Sequence, residues 1–162
     1  MNAETMEAAR AVALKFVGYA ARSSHEIERR LAKDDYPPEI IAAIVSDFEA
    51  RGWVDDTKFA KAWVEDRADR KKYGRGRLTA ELRRKGIDKE TVTEAVNSGG
   101  DEAEIARAMA AALSKWHPDA MEGAGRMELQ AEKKRLAGFL QRRGFGWSII
   151  TQVLNEIMKN NE

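Results

Sequence analysis

Apolar residues recur at one fixed spacing in three parts of the chain. With Leu31, Leu82 and Leu140 as origins, further apolar residues lie four positions before and five, ten and fourteen positions after each origin. Apolar residues four apart share one helix face, and a repeated spacing indicates a repeated structural unit. Each copy is therefore predicted to be a helix, a tight turn and a second helix. The three copies are Ile27, Leu31, Tyr36, Ile41 and Val45; Leu78, Leu82, Ile87, Val92 and Val96; and Leu136, Leu140, Phe145, Ile150 and Leu154.

A turn is predicted four residues after the origin of each copy. Gly86 and Gly144 stand there in the second and third copies, where a helix would end on a left-handed residue. Asp35 holds this position in the first copy and is a weaker stop, but Pro37 and Pro38 follow it and end the helix. The apolar residues on either side of each turn have the spacing of a hydrophobic staple. Each turn is therefore expected to be held by its own side chains.

One further helix is predicted ahead of the repeated pair in every copy. In the first copy this helix carries Val12, Leu14 and Phe16, and Ser23 then opens the next helix as a capping box with Glu26. Each copy therefore holds three helices.

The extra helices of the second and third copies have start signals of their own. The second begins at Asp55, with Phe59 and Trp63 one turn apart on its apolar face. The third is predicted to begin at Asp101, with Glu104 as its capping-box partner. Its apolar face is predicted to consist of Ile105, Met109 and Leu113.

These elements predict an all-α protein of three tandem three-helix repeats with helix-turn-helix character. A unit of about fifty residues buries too little surface to be robust alone, so neighbouring repeats are expected to complete each other's cores. The expected arrangement is an elongated, curved array. The predicted modules are residues 1–53, 54–99 and 100–162, with a flexible loop at 117–125 inside the third.

Charge is distributed in blocks along the chain, although the net charge is only +1. Residues 67–85 contain nine basic and two acidic side chains, and residues 126–143 contain six basic and two acidic ones. Residues 86–125, which lie between them, contain three basic and eight acidic side chains. Such patterning bears on partners more than the net charge does, and it favours contact with an anionic surface.

Composition and spacing give no support for catalytic or metal-binding chemistry. The chain has no cysteine, which excludes disulfides, thiolate metal sites and cysteine nucleophiles. A surface role is favoured over catalysis for both histidines, His25 and His117, because their sequence contexts are unlike. Asp55 and Asp56 are explained by a helix N-cap, since nothing nearby supplies further oxygen ligands. The prediction is a non-enzymatic protein without metal or cofactor.

The chain is expected to be cytoplasmic, with no membrane partner. No stretch approaches the roughly 18 apolar residues of a membrane span. The first residues also lack the basic start and apolar run of a secretion signal.

The segment Gly74-Arg75-Gly76 lacks the frame of a phosphate-binding loop and is predicted to break a helix. With Lys71, Lys72 and Arg77 around it, the segment also places amides and positive charge at a helix N-terminus. Such an end is a generic anion site. Contact with a phosphate or carboxylate and plain solvation both stay open here.

Helix-turn-helix character also raises nucleic-acid binding as an alternative function. The second helix of the middle copy begins Asp88-Lys89-Glu90, and its carboxylates would be repelled by a duplex. Sequence-specific reading is therefore disfavoured. Nonspecific phosphate contact through residues 67–85 remains an alternative.

Several stretches of the sequence resemble the RecX family. Residues 52–60 read Gly-Trp-Val-Asp-Asp-Thr-Lys-Phe-Ala, and Arg67 and a helix between the glycines of residues 74–86 follow in the order of that family's central repeat. Residues 23–31, which open with Ser-x-x-Glu, resemble the family's first repeat. The resemblance covers residues 10–97 by motif and the remainder by spacing. Its motif residues are Asp55, Asp56, Phe59, Gly74 and Gly86.

The resemblance implies a modulator, mainly an inhibitor, of the RecA recombinase. Family members consist of three tandem three-helix repeats. They bind RecA and its filament on single-stranded DNA and lower ATPase, strand exchange and coprotease activity in DNA repair and the SOS response. Weak nonspecific DNA binding could accompany this role, and a nucleic-acid-binding helical protein independent of RecA is the alternative. Predicted contacts to RecA or phosphate are Arg67, Arg70, Lys71, Lys72, Arg75, Arg77, Arg83, Arg84 and Lys85. A secondary basic patch is predicted from Lys133, Lys134, Arg135, Arg142 and Arg143.

Overall fold

The computed structural model describes residues 2–160, and every regular element in that range is an α-helix. The predicted all-α fold of three three-helix repeats is confirmed, with one short extra helix, α8, in the third. The helices of the described range are α1 (Ala3–Tyr19), α2 (Ser24–Lys33), α3 (Pro38–Ala50), α4 (Asp56–Lys71), α5 (Arg75–Arg84), α6 (Lys89–Asn97), α7 (Gly100–Leu113), α8 (Pro118–Met121), α9 (Arg126–Arg142) and α10 (Trp147–Lys159).

The apolar repeat is the buried face of these helices. Fourteen of its fifteen positions are buried, and Tyr36 is half-buried. The three origins, Leu31, Leu82 and Leu140, have no exposed surface. The spacing therefore predicted the core-facing residues because burial on one helix side imposes that period.

The three turns have the same backbone geometry, as predicted. Asp35, Gly86 and Gly144 have φ angles of 59°, 75° and 91°. In each copy the amide of the next residue donates to the main-chain oxygen of the origin leucine, at 3.1 to 3.3 Å. Aspartate tolerates the left-handed conformation better than most residues with a side chain, which explains how it replaces glycine.

Two of the three predicted helix starts are confirmed. The Ser23 hydroxyl accepts from the Glu26 amide at 3.2 Å, and the Glu26 carboxylate accepts from the Ser23 amide at 3.0 Å. Asp55 caps α4 by accepting from the amide of Lys58 at 3.0 Å. The predicted capping box of Asp101 and Glu104 is wrong, because α7 begins at Gly100 and the buried Glu104 accepts from the Arg75 amide and pairs with Arg107.

The apolar faces of α1 and α7 differ from their predictions. Leu14 and Leu113 are 41% and 52% exposed. Alanines take the buried positions in both helices. Small residues allow two helices to approach closely, but the spacing of large apolar side chains does not reveal a face that alanines form. The buried alanines are Ala9, Ala13, Ala108, Ala111 and Ala112.

The segment 117–125 is not a continuous loop. Residues Pro118–Met121 form the short helix α8, with Pro118 at its first position. Proline suits that position because its missing N–H has no helical partner there and its φ is already helical.

The described chain forms two compact units. The first comprises residues up to Trp63 together with Leu82–Ala95, and the second comprises Val64–Glu81 together with residues from Val96 onwards. The largest buried groups of the first unit include Phe48, Ile27 and Ile44, and those of the second include Leu136 and Leu154. This division passes through the middle repeat. The module boundaries predicted at 53/54 and 99/100 follow the repeat and stay a prediction.

Candidate interaction surface

In the second unit, the N-terminus of α5 packs on the turn that ends α9. The Gly74 amide donates to the main-chain oxygen of Arg143 at 2.7 Å, and the Gly76 amide donates to that of Gly144 at 2.9 Å. A Cβ on Gly74 would lie 2.6 Å from the Gly144 main chain, and a Cβ on Gly144 would lie 2.3 Å from the Arg77 nitrogen. The helix break predicted at residues 74–76 is confirmed, and its glycines permit two backbones to touch.

The amides of this break have partners within the chain. The Arg75 amide donates to Glu104 Oε1 at 3.0 Å, and the Arg75 guanidinium pairs with Asp101 at 2.7 Å. Glu104 is 1% exposed and also pairs with Arg107. Of the two alternatives left open by the sequence, the carboxylate contact is therefore the correct one, and it is intramolecular. The carboxylate belongs to α7, which no local motif indicated.

The same packing joins the two basic blocks. The Arg143 guanidinium lies 5.5 Å from the Tyr73 ring centroid, and the Arg77 guanidinium lies 3.8 Å from it. The Arg143 guanidinium also donates to the main-chain oxygen of Lys71. Residues about seventy positions apart thus form one cluster, which we call the Tyr73 surface and which consists of Lys71, Lys72, Tyr73, Arg77 and Arg143.

Two lysines on the Tyr73 surface carry free ammonium groups. Lys71 is exposed and Lys72 is half-buried, and neither side chain has a hydrogen-bond or ion-pair partner among residues 2–160. Lys72 has φ 52°, a left-handed conformation that a residue with a side chain rarely adopts. These two cations are available to an outside anion without breaking an internal ion pair.

Most other cations of the 67–85 block are already paired. Five of them contact carboxylates within the chain, so contacting a partner would exchange one ion pair for another. Arg83 and Arg84 are exposed. The pairs are Arg67 with Asp66 at 2.9 Å and Glu81 at 3.7 Å, Arg70 with Asp66 at 3.0 Å, Arg75 with Asp101 at 2.7 Å, Arg77 with Glu81 at 3.5 Å, and Lys85 with Glu26 at 2.7 Å.

The residues predicted as a secondary basic patch have different environments. Arg135 pairs with Glu132 and donates to the main-chain oxygen of Lys115 at 2.8 Å. The hydrogen bond from Arg135 holds the pKa of Glu132 below its ordinary value. Lys133 donates to Asn155 at 3.2 Å, while Lys134 and Arg142 are exposed. Arg143 belongs to the Tyr73 surface, as described above.

A second junction lies within the first unit, where the N-terminus of α2 packs on the turn that ends α5. The buried Ser23 hydroxyl donates to the main-chain oxygen of Lys85 at 2.6 Å. The Lys85 ammonium group pairs with Glu26 at 2.7 Å. Burial raises the pKa of Glu26, but hydrogen bonds from Lys85 and from the Ser23 amide outweigh it, so the net pKa lies below its ordinary value. A Cβ on Gly86 would lie 2.3 Å from the His25 side chain.

The motif residues Asp55 and Asp56 have separate structural roles. Asp55 caps its own helix, whereas Asp56 accepts from the Ser24 amide at 2.8 Å and from the Ser24 hydroxyl at 2.6 Å. Asp56 therefore caps a helix of the preceding repeat. Phe59 is buried and stacks on Trp63 with ring centroids 5.8 Å apart. Sequence reasoning missed the role of Asp56, since its partner lies 32 positions away.

Between residues 2 and 160 no group of three or more histidine and acidic side chains is placed to hold a metal ion. His25 is half-buried, with its Nδ1 3.5 Å from Glu28 Oε2, and His117 is exposed beside α8. None of the helices in that range combines the length and apolar character that crossing a bilayer requires.

Three comparisons relate the chain to known proteins. Family models for the first, second and third three-helix domains of RecX match residues 9–48, 55–96 and 101–154. The regulatory protein RecX of Mycolicibacterium smegmatis is 30% identical over 154 residues, which cover 95% of this chain and 81% of that protein. The corresponding protein of Mycolicibacterium vanbaalenii is 34% identical over 157 residues, which cover 95% and 84%.

The crystal structure of RecX from Lactobacillus salivarius has the same fold. It superimposes with a TM-score of 0.85 at 19% identity, over 96% of this chain and 97% of that one. A second crystal structure of regulatory protein RecX superimposes with a TM-score of 0.78 at 20% identity, over 94% and 73% of the two chains.

Proposed function

Because this chain belongs to the RecX family of regulatory proteins, we propose that it modulates, and mainly inhibits, the RecA recombinase. It binds RecA and the RecA filament on single-stranded DNA, and it lowers ATP hydrolysis, strand exchange and coprotease activity. It acts without a catalytic centre or cofactor of its own, in the cytoplasm, where RecA meets chromosomal DNA.

The observation that carries this proposal is the match of all three family domains, in order and over the length of the chain. The packing supports it independently. The buried polar groups of residues 2–160, Ser23 and Glu104, are both engaged in junctions between helices. The proposal therefore rests on surface cations, which suit a protein that acts by contact.

The Tyr73 surface is the proposed contact region. Lys71 and Lys72 offer free ammonium groups, and the Tyr73 ring with its flanking guanidiniums adds an apolar and cationic platform. Such a combination suits an acidic protein surface or the phosphates of the filament's DNA. Binding lowers ATP hydrolysis if the surface fits one filament state better than another, because a ligand shifts an equilibrium only by its differential affinity.

A titration of the protein into RecA on single-stranded DNA, with ATP hydrolysis as the readout, tests the proposal. We expect hydrolysis to fall and saturate as the protein concentration rises. Unchanged hydrolysis at saturating protein would refute the proposed function.

A charge-reversal pair locates the contact. Lys71→Glu with Lys72→Glu should raise the half-inhibitory concentration roughly tenfold and reduce its dependence on salt, because two unpaired surface cations are lost. Arg75 is left intact, since it holds the α5 junction through Asp101 and its reversal would perturb the fold. Lys58→Glu with Lys61→Glu is the matched control, with the same charge change at exposed positions of α4. Equal inhibition by both variants would place the contact elsewhere.

The alternative is nonspecific nucleic-acid binding without RecA. The free ammonium groups of Lys71 and Lys72 favour this alternative, because the phosphates of DNA can pair with them without any contact to RecA. Binding to bare single-stranded DNA with an affinity equal to that for the RecA filament would favour this alternative.

A further inference from the structure

Two turns of this chain each hold the N-terminus of another helix through an equivalent main-chain oxygen. The Ser23 hydroxyl and the Gly74 amide, both from the residue eight positions before an origin leucine, donate to the main-chain oxygens of Lys85 and Arg143. These acceptors each lie three residues after the origin of the following copy. The amide of the following residue donates to a carboxylate in both cases, from Ser24 to Asp56 and from Arg75 to Glu104. One docking mode is thus used twice, once within each unit.

The equivalent turn of the first copy is open. Asp34 stands where Lys85 and Arg143 stand in the later copies, and no hydrogen bond from residues 2–160 reaches its main-chain oxygen. The next residue, Asp35, lines an open cavity of about 570 Å³. Its walls also include Glu28, Arg29, Ala32, Tyr36, Pro38 and Ile41.

We propose that this turn is a docking site for the N-terminus of a helix of RecA, which rests on the function proposed above. The two occupied turns define the chemistry that the site takes. The occupant begins with a small N-cap residue, as Ser23 and Gly74 do, and directs a hydroxyl or amide donor toward the main-chain oxygen and the next amide toward a carboxylate. The N-terminus of a helix carries partial positive charge, and the cavity offers it two carboxylates, Asp35 and Glu28, against one cation, Arg29.

Asp35 makes this docking looser than the two internal junctions. At Gly86 and Gly144 the incoming chain occupies the space where a Cβ would stand. Asp35 has a Cβ in the same left-handed conformation, so the occupant is held further from the backbone. Its carboxylate takes over the role that Asp56 and Glu104 have in the later copies. A looser, charge-assisted contact is suited to a partner that binds and leaves, whereas the internal junctions are permanent.

The third repeat of a second copy has no helix end at the equivalent position. The position equivalent to Ser23 and Gly74 in the third copy is Glu132, which lies inside α9 and pairs with Arg135. Helix α9 begins at Arg126, before that position, so no helix starts there. The ends that begin at Ser23 and Gly74 are already bonded to Lys85 and Arg143.

Blocking the cavity tests the site. Ala32 is exposed on α2 and lines the cavity, so Ala32→Arg fills it without touching the core. We expect its half-inhibitory concentration for RecA ATP hydrolysis to rise about tenfold, as for a central interface position. Ala110→Arg, at an exposed position of α7, adds the same charge and should inhibit like the unmodified protein.

The outcomes separate this proposal from the function it rests on. Inhibition by Ala32→Arg equal to that of Ala110→Arg would overturn the docking site while leaving RecA inhibition in place. A lack of inhibition by the unmodified protein would overturn both.

Cross-linking identifies the occupant directly, since the chain has no cysteine and Ala32→Cys is a unique attachment point. A benzophenone maleimide on that cysteine is irradiated with RecA filaments, and the joined peptides are sequenced by mass spectrometry. Attachment to the first turn of a RecA helix supports the proposal. Attachment to a second copy of the chain, to DNA or to another part of RecA, or no attachment at all, overturns it.

Discussion

The turn at Gly86 needs glycine for two reasons, its left-handed backbone angle and the close approach of His25. The loss of stability in Gly86→Ala measures the two contributions together. The position has φ 75°, which strains any side chain, and its missing Cβ leaves the space that His25 occupies. A methyl group there would lie 2.3 Å from His25 Cβ and Cγ. The Cβ atom is fixed to the backbone of α2, so rotation of the side chain cannot relieve its contact and the helix itself must move. The substitution should therefore loosen the junction held by Ser23 and Lys85.

The size of the effect follows from the two contributions. An alanine forced into the left-handed region costs roughly 1–2 kcal/mol. Overpacking a tight contact costs typically a further 1–3 kcal/mol. Gly52→Ala is the matched control, because Gly52 has φ 70° and a methyl group added there would meet nothing within 4 Å. Both glycines belong to the first unit, so the difference between the two variants isolates the crowding by His25.

Urea unfolding followed by circular dichroism at helical wavelengths measures both variants. We expect both midpoints to fall, with Gly86→Ala losing about 1–3 kcal/mol more than Gly52→Ala at an unchanged slope. Equal losses would show that only the backbone angle matters, and the docking argument for these turns would then be wrong.

Three further substitutions test the junctions by the same unfolding measurement. Ser23→Ala removes a helix cap and the hydrogen bond to Lys85, so it should cost about 1–3 kcal/mol, and no loss would contradict the junction. Glu104→Ala leaves Arg107 unpaired and should cost about 3–5 kcal/mol, whereas Glu102→Ala, exposed on the same helix, should cost little. The pKa of Glu26 is lowered by folding, so its contribution is present above its ordinary value of 4.5 and is lost as pH falls through the folded value. Glu26→Gln should therefore be less stable than the unmodified protein at neutral pH, and the difference should shrink below pH 4.5; a constant difference would refute the assignment.

The repeat made both the buried positions and the turns of the fold predictable. Leu31, Leu82 and Leu140 identified three equivalent buried positions, because a helix that buries one side carries apolar residues three or four positions apart. The turns were equally readable, since Gly86 and Gly144 satisfy a backbone requirement that few residues meet. Alanine-lined faces, such as those around Ala9 and Ala108, left no comparable trace.

The candidate site was only partly predictable. The 67–85 block was visible as charge, but the sequence did not distinguish the free ammonium groups of Lys71 and Lys72 from cations such as Arg67 and Lys85, which pair with carboxylates. Those pairs depend on which helices meet, and the partner of Lys85 lies 59 positions away. The approach of Arg143 to Tyr73 likewise follows from tertiary packing.

The sequence by itself determined the three-helix repeat, its core-facing residues, its turns and the family to which the chain belongs, because each depends on residues close together in the chain. Tertiary structure decided the rest. It placed Asp56 and Glu104 on the ends of helices from other repeats, joined two distant basic blocks at Tyr73 and left the turn at Asp35 open. Local periodicity encodes which face of a helix is buried, whereas contacts between repeats depend on how complete helices pack, and no short stretch of sequence specifies that.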